Sequence, residues 1–391
     1  MMQAHFRRKP LAAFMQTAAF LALAAGSLQV SAGELYKLRQ VPLTSFGGEM
    51  AASTDNTGFF GTAVVTQLKI TNILDGNGDD AVLPARVVPL PTGGPTGGAI
   101  PSGTYSSVYA TAPVAFSQTQ SQINLQGGYI SESLYNGGRL LFSAIVPLVK
   151  ASRSFIVVAP SGTVSPVPAA ALPATAKGAI TAIASAVDAQ VKAGVAAQAA
   201  TQNVEASGLG DTELTVAWSH HKDGLKVIPG LSVFVPTGSY DKNRGPNPGF
   251  GNFYTVRAGV AVTYNVNPKH TDSSWDAGVT VGGRFGYSIN TVNKDTDYKS
   301  GHVINAELAI MKVTGDWAFG SSFLAIQQVT DDTGTGAPAD GSRYKNMSVG
   351  PFVSYKLPGQ DAGFNLSYNK NYGSRNAMNL NALQIRFIRA W

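Results

Sequence analysis

The sequence predicts an all-β fold, an antiparallel transmembrane β-barrel of about 12 strands with an Ala-rich helical insertion. After Gly208, runs of ten or more residues alternate apolar side chains with polar or small ones. The connections between these runs alternate short and long. Only 13% of the residues are Asp, Glu, Lys or Arg, about half the usual share in a soluble domain, whereas the apolar share is an ordinary 44%.

The amino-terminal residues have the pattern of an export signal. A basic region is followed by an apolar stretch from Leu11 to about Ala25 and by a small-residue cleavage site, Val30-Ser31-Ala32. The basic residues are His5, Arg7, Arg8 and Lys9. The apolar stretch is too short for a permanent membrane span. We therefore predict a cleaved signal peptide over residues 1–32 and an outer-membrane barrel over 33–391 in a Gram-negative cell.

Charge and cysteine content exclude several classes of function. Cleavage removes three positive charges and no negative ones, so the formal net charge falls from +6 to +3. The sequence pI of about 9.3 therefore owes much to the signal, and no nucleic-acid partner is expected. The chain has no cysteine, which excludes thiolate metal sites, cysteine nucleophiles and disulfides. Glycine-rich phosphate cradles are absent, and we predict no cofactor.

Twelve strands can be placed by alternation. Three weaker candidates precede Gly208, at Phe60–Ile70, Val108–Phe116 and Leu140–Leu148. Nine follow it, at Leu214–His220, Leu225–Val235, Tyr254–Tyr264, Trp275–Ile289, His302–Val313, Trp317–Gln327, Met347–Tyr355, Phe364–Tyr372 and Leu383–Trp391. Trp275 and Tyr287 are placed as an interfacial aromatic girdle would be.

The segment over residues 152–207 interrupts this pattern. Its prolines give way to an Ala-rich run that carries a narrow apolar stripe at helical spacing, formed by Ile180, Ile183, Val187, Val191 and Val195. We predict a helical insertion here. It would be either a plug or lid of the lumen or a loose surface insertion.

Loop lengths distinguish a barrel from a soluble β-sandwich. Short turns are predicted at Lys222-Asp223-Gly224, Thr314-Gly315-Asp316 and Pro358-Gly359-Gln360. Long connections are predicted at Gly238–Phe253, Asn290–Gly301 and Thr330–Lys345. A barrel sorts short turns to its periplasmic end and long loops to its outer end, and a sandwich has no reason to do so.

The alternation also predicts which side chains face the lumen. Four charged residues from different strands point inward, namely Arg257, Arg284, Glu307 and Arg386, and so do Phe234, Phe352 and Ile388. Charged groups inside a barrel must be solvated or paired, and they influence which solutes pass. The alternative is an ion-paired network that only fills a closed barrel.

Other polar motifs carry little chemistry. His220 and His221 are adjacent on a strand and face opposite sides, so they cannot share one metal ion. No serine is placed beside a histidine, and we predict no catalytic residue. The run from Asp75 to Asp80 resembles the start of a calcium loop, but the twelfth position holds Arg86 instead of Glu. We predict no metal site.

The last strand carries a predicted assembly signal. Leu383, Ile385, Phe387 and Trp391 alternate on one face, and we expect the barrel-insertion machinery to recognise Phe387 and Trp391. Arg389 interrupts that face, so it should lie at the membrane edge, where a cation costs about 0–1 kcal/mol.

A family resemblance begins after the insertion. Gly208-Leu209-Gly210-Asp211 is followed by Trp218 and by the most specific piece, Val235-Pro236-Thr237-Gly238-Ser239-Tyr240-Asp241. Tyr298-Lys299-Ser300-Gly301, Gln327-Gln328 with Asp331, and Gly350-Pro351 with Tyr355 follow. This order resembles the outer-membrane proteins assigned as transporters of the meta-pathway of phenol degradation. The resemblance covers Gly208 to Trp391.

The resemblance implies a barrel that admits small hydrophobic or aromatic solutes, with outer-membrane lipid around it. It supplies no catalytic residue. Our main hypothesis is therefore passive uptake through a lumen gated by the helical insertion or by the long loops. A surface structural or adhesion barrel without a conducting lumen is the alternative, and an outer-membrane hydrolase is a third reading.

Overall fold

The computed structural model describes residues 39, 45–51, 57–83, 85–89, 105–166, 174–267, 278–338 and 341–391. The predicted signal peptide, 1–32, lies outside them. The described residues form two units. One contains 81–115 and 155–202, and the other contains the rest.

Within the described residues, twelve antiparallel strands form a closed barrel, as predicted. Each strand pairs with the next along the chain, and the last pairs with the first. The strands are β1 (Gly58–Leu74), β2 (Ala112–Ile130), β3 (Arg139–Val157), β4 (Glu205–Leu209, resuming as Thr212–Lys222), β5 (Leu225–Val235), β6 (Thr255–Asn265), β7 (Val279–Asn290), β8 (Val303–Thr314), β9 (Trp317–Gln328), β10 (Lys345–Lys356), β11 (Ala362–Asn371) and β12 (Ala377–Ala390).

The barrel is polar inside and apolar outside. On β12, the outward Leu383 and Ile385 are 43% and 49% exposed, whereas the inward Gln384 and Arg386 are 4% and 6% exposed. Most of the other strands follow the same alternation, and β2 departs from it, because its outward Thr119 and Ser121 are polar. In water this continuous apolar band would be exposed to solvent, whereas in a membrane it contacts lipid. The closed ladder also leaves no unpaired strand edge, as a membrane requires. The arrangement is that of a membrane barrel.

Aromatic pairs mark one end of the barrel. We call the end where β1 begins and β12 finishes the terminal end, and the opposite end the loop end. Three ring pairs near the terminal end have centroids 4.6–5.0 Å apart: Trp317–Tyr355, Phe59–Tyr129 and Phe364–Phe387. At the loop end, the predicted girdle residue Tyr287 hydrogen-bonds His302 Nδ1 at 2.7 Å. Trp275 lies outside the described residues.

The predicted short turns and long connections lie at opposite ends of the barrel, as expected. Asp223 and Gly224 both have positive φ, 50° and 80°, which is the turn that suits a two-residue hairpin. Two further short turns, around Gly315 and Gly359, also lie at the terminal end. The three long predicted connections lie at the loop end, between β5 and β6, β7 and β8, and β9 and β10.

One strand was misplaced. The prediction at Val108–Phe116 is wrong, because the second barrel strand is Ala112–Ile130. Alternation did not reveal it, since its outward residues Thr119 and Ser121 are polar like its inward Gln118, Gln120 and Gln122. The preceding strand Tyr105–Tyr109 belongs to the other unit.

The other unit contains a three-stranded sheet and a helix. The sheet consists of Arg86–Pro89, Tyr105–Tyr109 and Gly162–Pro166, and the helix is Ala174–Gln202. Val187, Val191 and Val195 of the predicted stripe are buried, whereas the side chains of Ile180 and Ile183 lie outside the described residues. The helix therefore lies inside the predicted insertion, 152–207, while barrel strands extend into both ends of that range.

Asp188 joins this helix to its own sheet and also forms an ion pair within the helix. Lys192 Nζ lies 2.7 Å from Asp188 Oδ2, and the backbone N–H of Gly162 donates to Asp188 Oδ1. The hydrogen bond from Lys192 lowers the pKa of the Asp188 carboxyl. Among the described helices, none is both long and apolar enough to cross a membrane.

Candidate functional site in the barrel interior

Two described parts of the amino-terminal segment, Arg39 and Ser45–Ala51, lie inside the barrel, and Arg39 is held at the loop end. Arg39 is 4% exposed, and its guanidinium donates to Asp211 Oδ2 from Nη2 at 2.7 Å and from Nε at 3.0 Å. It also donates to the carbonyls of Gly251 and Phe253 and lies 3.9 Å from the centroid of the Phe253 ring. A buried arginine with this many partners has its desolvation largely offset.

Helix α1 (Ser45–Ala51) continues this segment toward the terminal end. Phe46 and Met50 pack in an apolar cluster with inward residues of β8, β9 and β10: Ala309, Met311, Ala318 and Phe352. Gly47 and Gly48 allow the helix to lie against the wall, because a Cβ at Gly47 would be 2.5 Å from the Phe352 ring. Helix α1 therefore covers the half of the interior formed by β7 to β11.

Ion pairs join α1 to the wall. Glu49 Oε2 lies 2.8 Å from Arg284 Nη1, and Glu49 Oε1 lies 3.4 Å from Arg386 Nη2. Arg284 Nη2 also lies 2.5 Å from Glu307 Oε1. Glu307, which is fully buried, accepts in addition the backbone N–H of Phe46 at 3.1 Å. Three of the predicted inward charges thus converge on one helix.

The fourth predicted charge, Arg257, lies beside this group. Its Nη1 is 3.8 Å from Glu213 Oε1, and its guanidinium lies 4.5 Å from the centroid of the Phe234 ring. Sequence reasoning missed Glu49 and Glu213. The predicted inward set held three arginines and one carboxylate, and this excess of positive charge in a closed interior was itself a signal that further carboxylates face inward.

A cavity of about 630 Å³ lies beside α1, on the half of the lumen that the helix leaves uncovered. Its lining comes mainly from β1 to β6 and β12, and it includes the predicted residues Arg257, Arg284, Arg386 and Ile388. Five cationic side chains and two carboxylates line it: Arg139, Lys226, Arg257, Arg284 and Arg386 against Glu49 and Glu213. We call it the basic cavity.

A second cavity, of about 240 Å³, lies nearer the loop end. The predicted residue Phe234 lines it, and so does a row of inward amides on β2: Gln118, Gln120, Gln122 and Asn124. We call it the amide cavity. Ile145 and Glu213 line both cavities, so the two follow one another along the same half of the barrel.

The remaining predicted site residues lie elsewhere. Phe352 and Glu307 point inward, but α1 packs over them. Phe387 contacts the ring of Phe364, and the backbone N–H of Trp391 donates to the Phe59 carbonyl at 2.9 Å. The role of Phe387 and Trp391 in assembly stays a prediction.

The element found inside the barrel differs from the one proposed from the sequence. The described residues of the amino-terminal segment, Arg39 and Ser45–Ala51, lie in the lumen. That segment has no alternation and precedes the first strand, so the period-two pattern could not assign it. A plug or lid role for 152–207 stays a prediction.

The polar motifs considered for chemistry have structural partners. His220 Nδ1 contacts the Gly137 carbonyl at 2.8 Å and its ring stacks on Trp218, while His221 faces inward to the basic cavity. Asp75 Oδ1 accepts the backbone N–H groups of Asn77, Gly78 and Asp79, so this carboxylate closes a turn. The described residues contain no group of three or more acidic or histidine side chains placed to hold a metal ion.

Several of the motifs behind the family resemblance form a hydrogen-bonded collar at the loop end, whereas Trp218 and Tyr355 lie near the terminal end. Asp211 accepts the backbone N–H groups of Gly238 and Phe250 as well as Arg39. The backbone of Gly249 packs so closely against Gly238 that a side chain does not fit, since a Cβ at Gly238 would lie 2.6 Å from the Gly249 Cα. A second centre is Asp332, which accepts from Tyr298, Gly301 and Gln328.

Comparisons match the chain to one protein family and, in fold, to a solved outer-membrane channel. A family model described as "Putative MetA-pathway of phenol degradation" matches residues 97–387, a longer range than the motifs suggested. The crystal structure of the COG4313 outer membrane channel from Pseudomonas putida F1 is similar, with a TM-score of 0.57 and 13% identity over 87% of this chain and 98% of that one. This likeness shows a shared fold.

Two further structures match at lower scores. The transport unit of the autotransporter AIDA-I from Escherichia coli has a TM-score of 0.44 and 9% identity, over 96% of this chain and 99% of that one. The Pseudomonas putida toluene transporter TodX has a TM-score of 0.31 and 12% identity, over 93% and 96%. Comparison with curated proteins gives no match.

Proposed function

The chain belongs to the family described as "Putative MetA-pathway of phenol degradation", and from this premise we propose that it is an outer-membrane channel for the passive uptake of small hydrophobic or aromatic compounds. The observation that carries the proposal is the half-open lumen. Helix α1 covers one half of the interior wall, and a cavity of about 630 Å³ remains along the other half. A barrel with only a structural role would have no need of this space.

The amino-terminal segment supplies a resident constriction. Ion pairs hold its described residues at two points, Arg39 with Asp211 and Glu49 with Arg284 and Arg386. Solvated or paired charges at a narrow point set the free-energy barrier for a solute. We infer that small solutes pass beside the segment, and that loss of its ion pairs widens the passage.

Uptake by cells tests the proposal. A strain that lacks the gene should grow more slowly than the complemented strain when an aromatic carbon source is limiting, and equally well on succinate. Aromatic solutes at low concentration are the sensitive case, because outer-membrane entry then limits the flux. Equal growth of the two strains on the limiting aromatic source would refute the uptake function and favour a structural or adhesion barrel.

A further inference from the structure

The amide row on β2 is continuous and polarised. Arg153 Nε donates to Gln118 Oε1 at 2.9 Å. Gln118 then donates to Gln120 at 3.3 Å, Gln120 to Gln122 at 3.1 Å, and Gln122 to Asn124 at 2.6 Å. Every bond runs in the same direction, so each amide is polarised by the one before it.

This row retains hydrogen-bonding capacity toward the amide cavity. A carboxamide has two N–H donors and an oxygen with two lone pairs. Among the described residues, Gln120 and Gln122 each use one N–H and one lone pair along the row. One donor and one acceptor therefore remain on each side chain that lines the cavity, and a hydroxyl group needs both.

Apolar side chains flank the row on both sides. Leu68 and Ile70 of β1 are the direct neighbours of Gln120 and Gln118, and Ile145 and Val149 line the cavity from β3. The volume of about 240 Å³ suffices for one substituted ring, since a cavity of about 150 Å³ holds benzene.

The charges around this cavity balance. Two cations, Arg39 and Arg153, and two carboxylates, Asp211 and Glu213, line it, and Arg39 is directly paired with Asp211. The basic cavity, in contrast, has an excess of cations. A neutral solute therefore loses nothing electrostatically in the amide cavity, whereas an anion gains nothing there to offset its desolvation.

We propose that the amide cavity is a binding site for a neutral aromatic molecule that carries a hydroxyl group. The ring packs against the apolar flanks, and the hydroxyl accepts an N–H from one amide of the row and donates to the oxygen of its neighbour. A hydrocarbon of the same size binds less well, because it leaves these amides without a partner. The inference rests on the proposed uptake function and names the class of solute that the channel selects.

Three fluorinated probes with the same ring test this site. The affinities of 4-fluorophenol, fluorobenzene and 4-fluorobenzoate are measured by ¹⁹F NMR titration of the full-length protein in lipid nanodiscs, with empty nanodiscs to correct for partitioning. The wild type should bind 4-fluorophenol about fivefold more tightly than fluorobenzene, the effect of about one net neutral hydrogen bond. The benzoate should bind no better than fluorobenzene.

Substitutions on the two faces of the wall give matched variants. Gln120→Leu and Gln122→Leu should each remove the preference for the phenol. Gln67→Leu makes the same change on the outward face of β1, where Gln67 accepts from Ser121 at 2.8 Å, and should keep it. Folding of each variant is checked by its heat-modifiable mobility in gel electrophoresis. The comparison of the three probes in the wild type does not depend on any variant.

Equal affinity of the wild type for the phenol and the hydrocarbon would overturn the inference. So would tighter binding of the benzoate, or a preference that survives in both row variants. None of these outcomes would bear on the growth experiment that tests uptake. Conversely, equal growth of the deletion strain would refute uptake even if the amide cavity prefers the phenol.

Discussion

Glu49 is the residue that joins the amino-terminal segment to the barrel wall. Its carboxylate lies between Arg284 and Arg386, and its side chain is 39% exposed. Because water reaches this carboxylate, we discount its ion pairs to roughly 1–2 kcal/mol in total. That free energy corresponds to a change of about 5- to 30-fold in the population of a displaced segment.

Glu49→Gln should therefore raise the ion conductance of the protein in planar bilayers, because the open probability of the channel should increase severalfold. The substitution removes both ion pairs of Glu49, whereas Arg284 keeps its pair with Glu307 in the wall. Glu205→Gln is the matched control, because it breaks the exposed pair with Lys150 outside the lumen. Conductance that is the same in both variants would show that Glu49 does not hold the segment.

At the scale of single residues, the direction of a side chain could be predicted from the sequence only where apolar and polar residues alternate. The inward direction of Arg284, Glu307 and Arg386 followed from the period-two pattern, because each lies in a long regular strand. Their pairing with Glu49 did not follow, since Glu49 precedes the first strand. Asp332 shows the same limit. The family motif contains Asp331, which is exposed, whereas its neighbour Asp332 holds the collar.

Among the elements, α1 is packed tightly against the barrel wall. A Cβ added at Gly47 would lie 2.5 Å from the Phe352 ring, and Phe352 is buried. Two effects of a Gly→Ala change oppose each other here. Helix propensity would stabilise α1 by about 1 kcal/mol, whereas overpacking would destabilise its docking by about 1–3 kcal/mol.

Gly47→Ala should accordingly speed trypsin cleavage after Arg39, monitored by mass spectrometry. Arg39 is shielded while the segment is docked, so cleavage reports its release. Gly127→Ala is the control, since a Cβ there meets nothing within 4 Å. Slower cleavage in Gly47→Ala than in the wild type would mean that propensity outweighs packing and that α1 is loosely held.

The elements also differed in how well they could be predicted. Most strands of the carboxy-terminal half were placed within a few residues, because one face of each is apolar and the other is not, whereas the last strand begins six residues before the predicted Leu383. β2 was missed because lipid-facing Thr119 and Ser121 match the polarity of its lumen face. The glutamines that hid this strand are the residues that we assign to solute binding.

At the scale of the whole molecule, the distribution of polar and apolar side chains determines what surrounds the barrel and what its interior can admit. An apolar outer band requires lipid, and a polar interior that is only half covered by α1 leaves two cavities in succession. Ile145 lines both of them. Its chain neighbour Val146 points outward and is 37% exposed, so the two positions offer a matched pair for testing passage.

The most direct test is entry of a small phenol into vesicles whose outer leaflet is lipopolysaccharide, which slows unassisted diffusion. Wild-type protein should increase the rate of entry, Ile145→Trp should reduce it to the rate of protein-free vesicles, and Val146→Trp should leave it at the wild-type value. Entry through Ile145→Trp at the wild-type rate, or no increase with the wild type, would contradict a passage along the open half of the barrel.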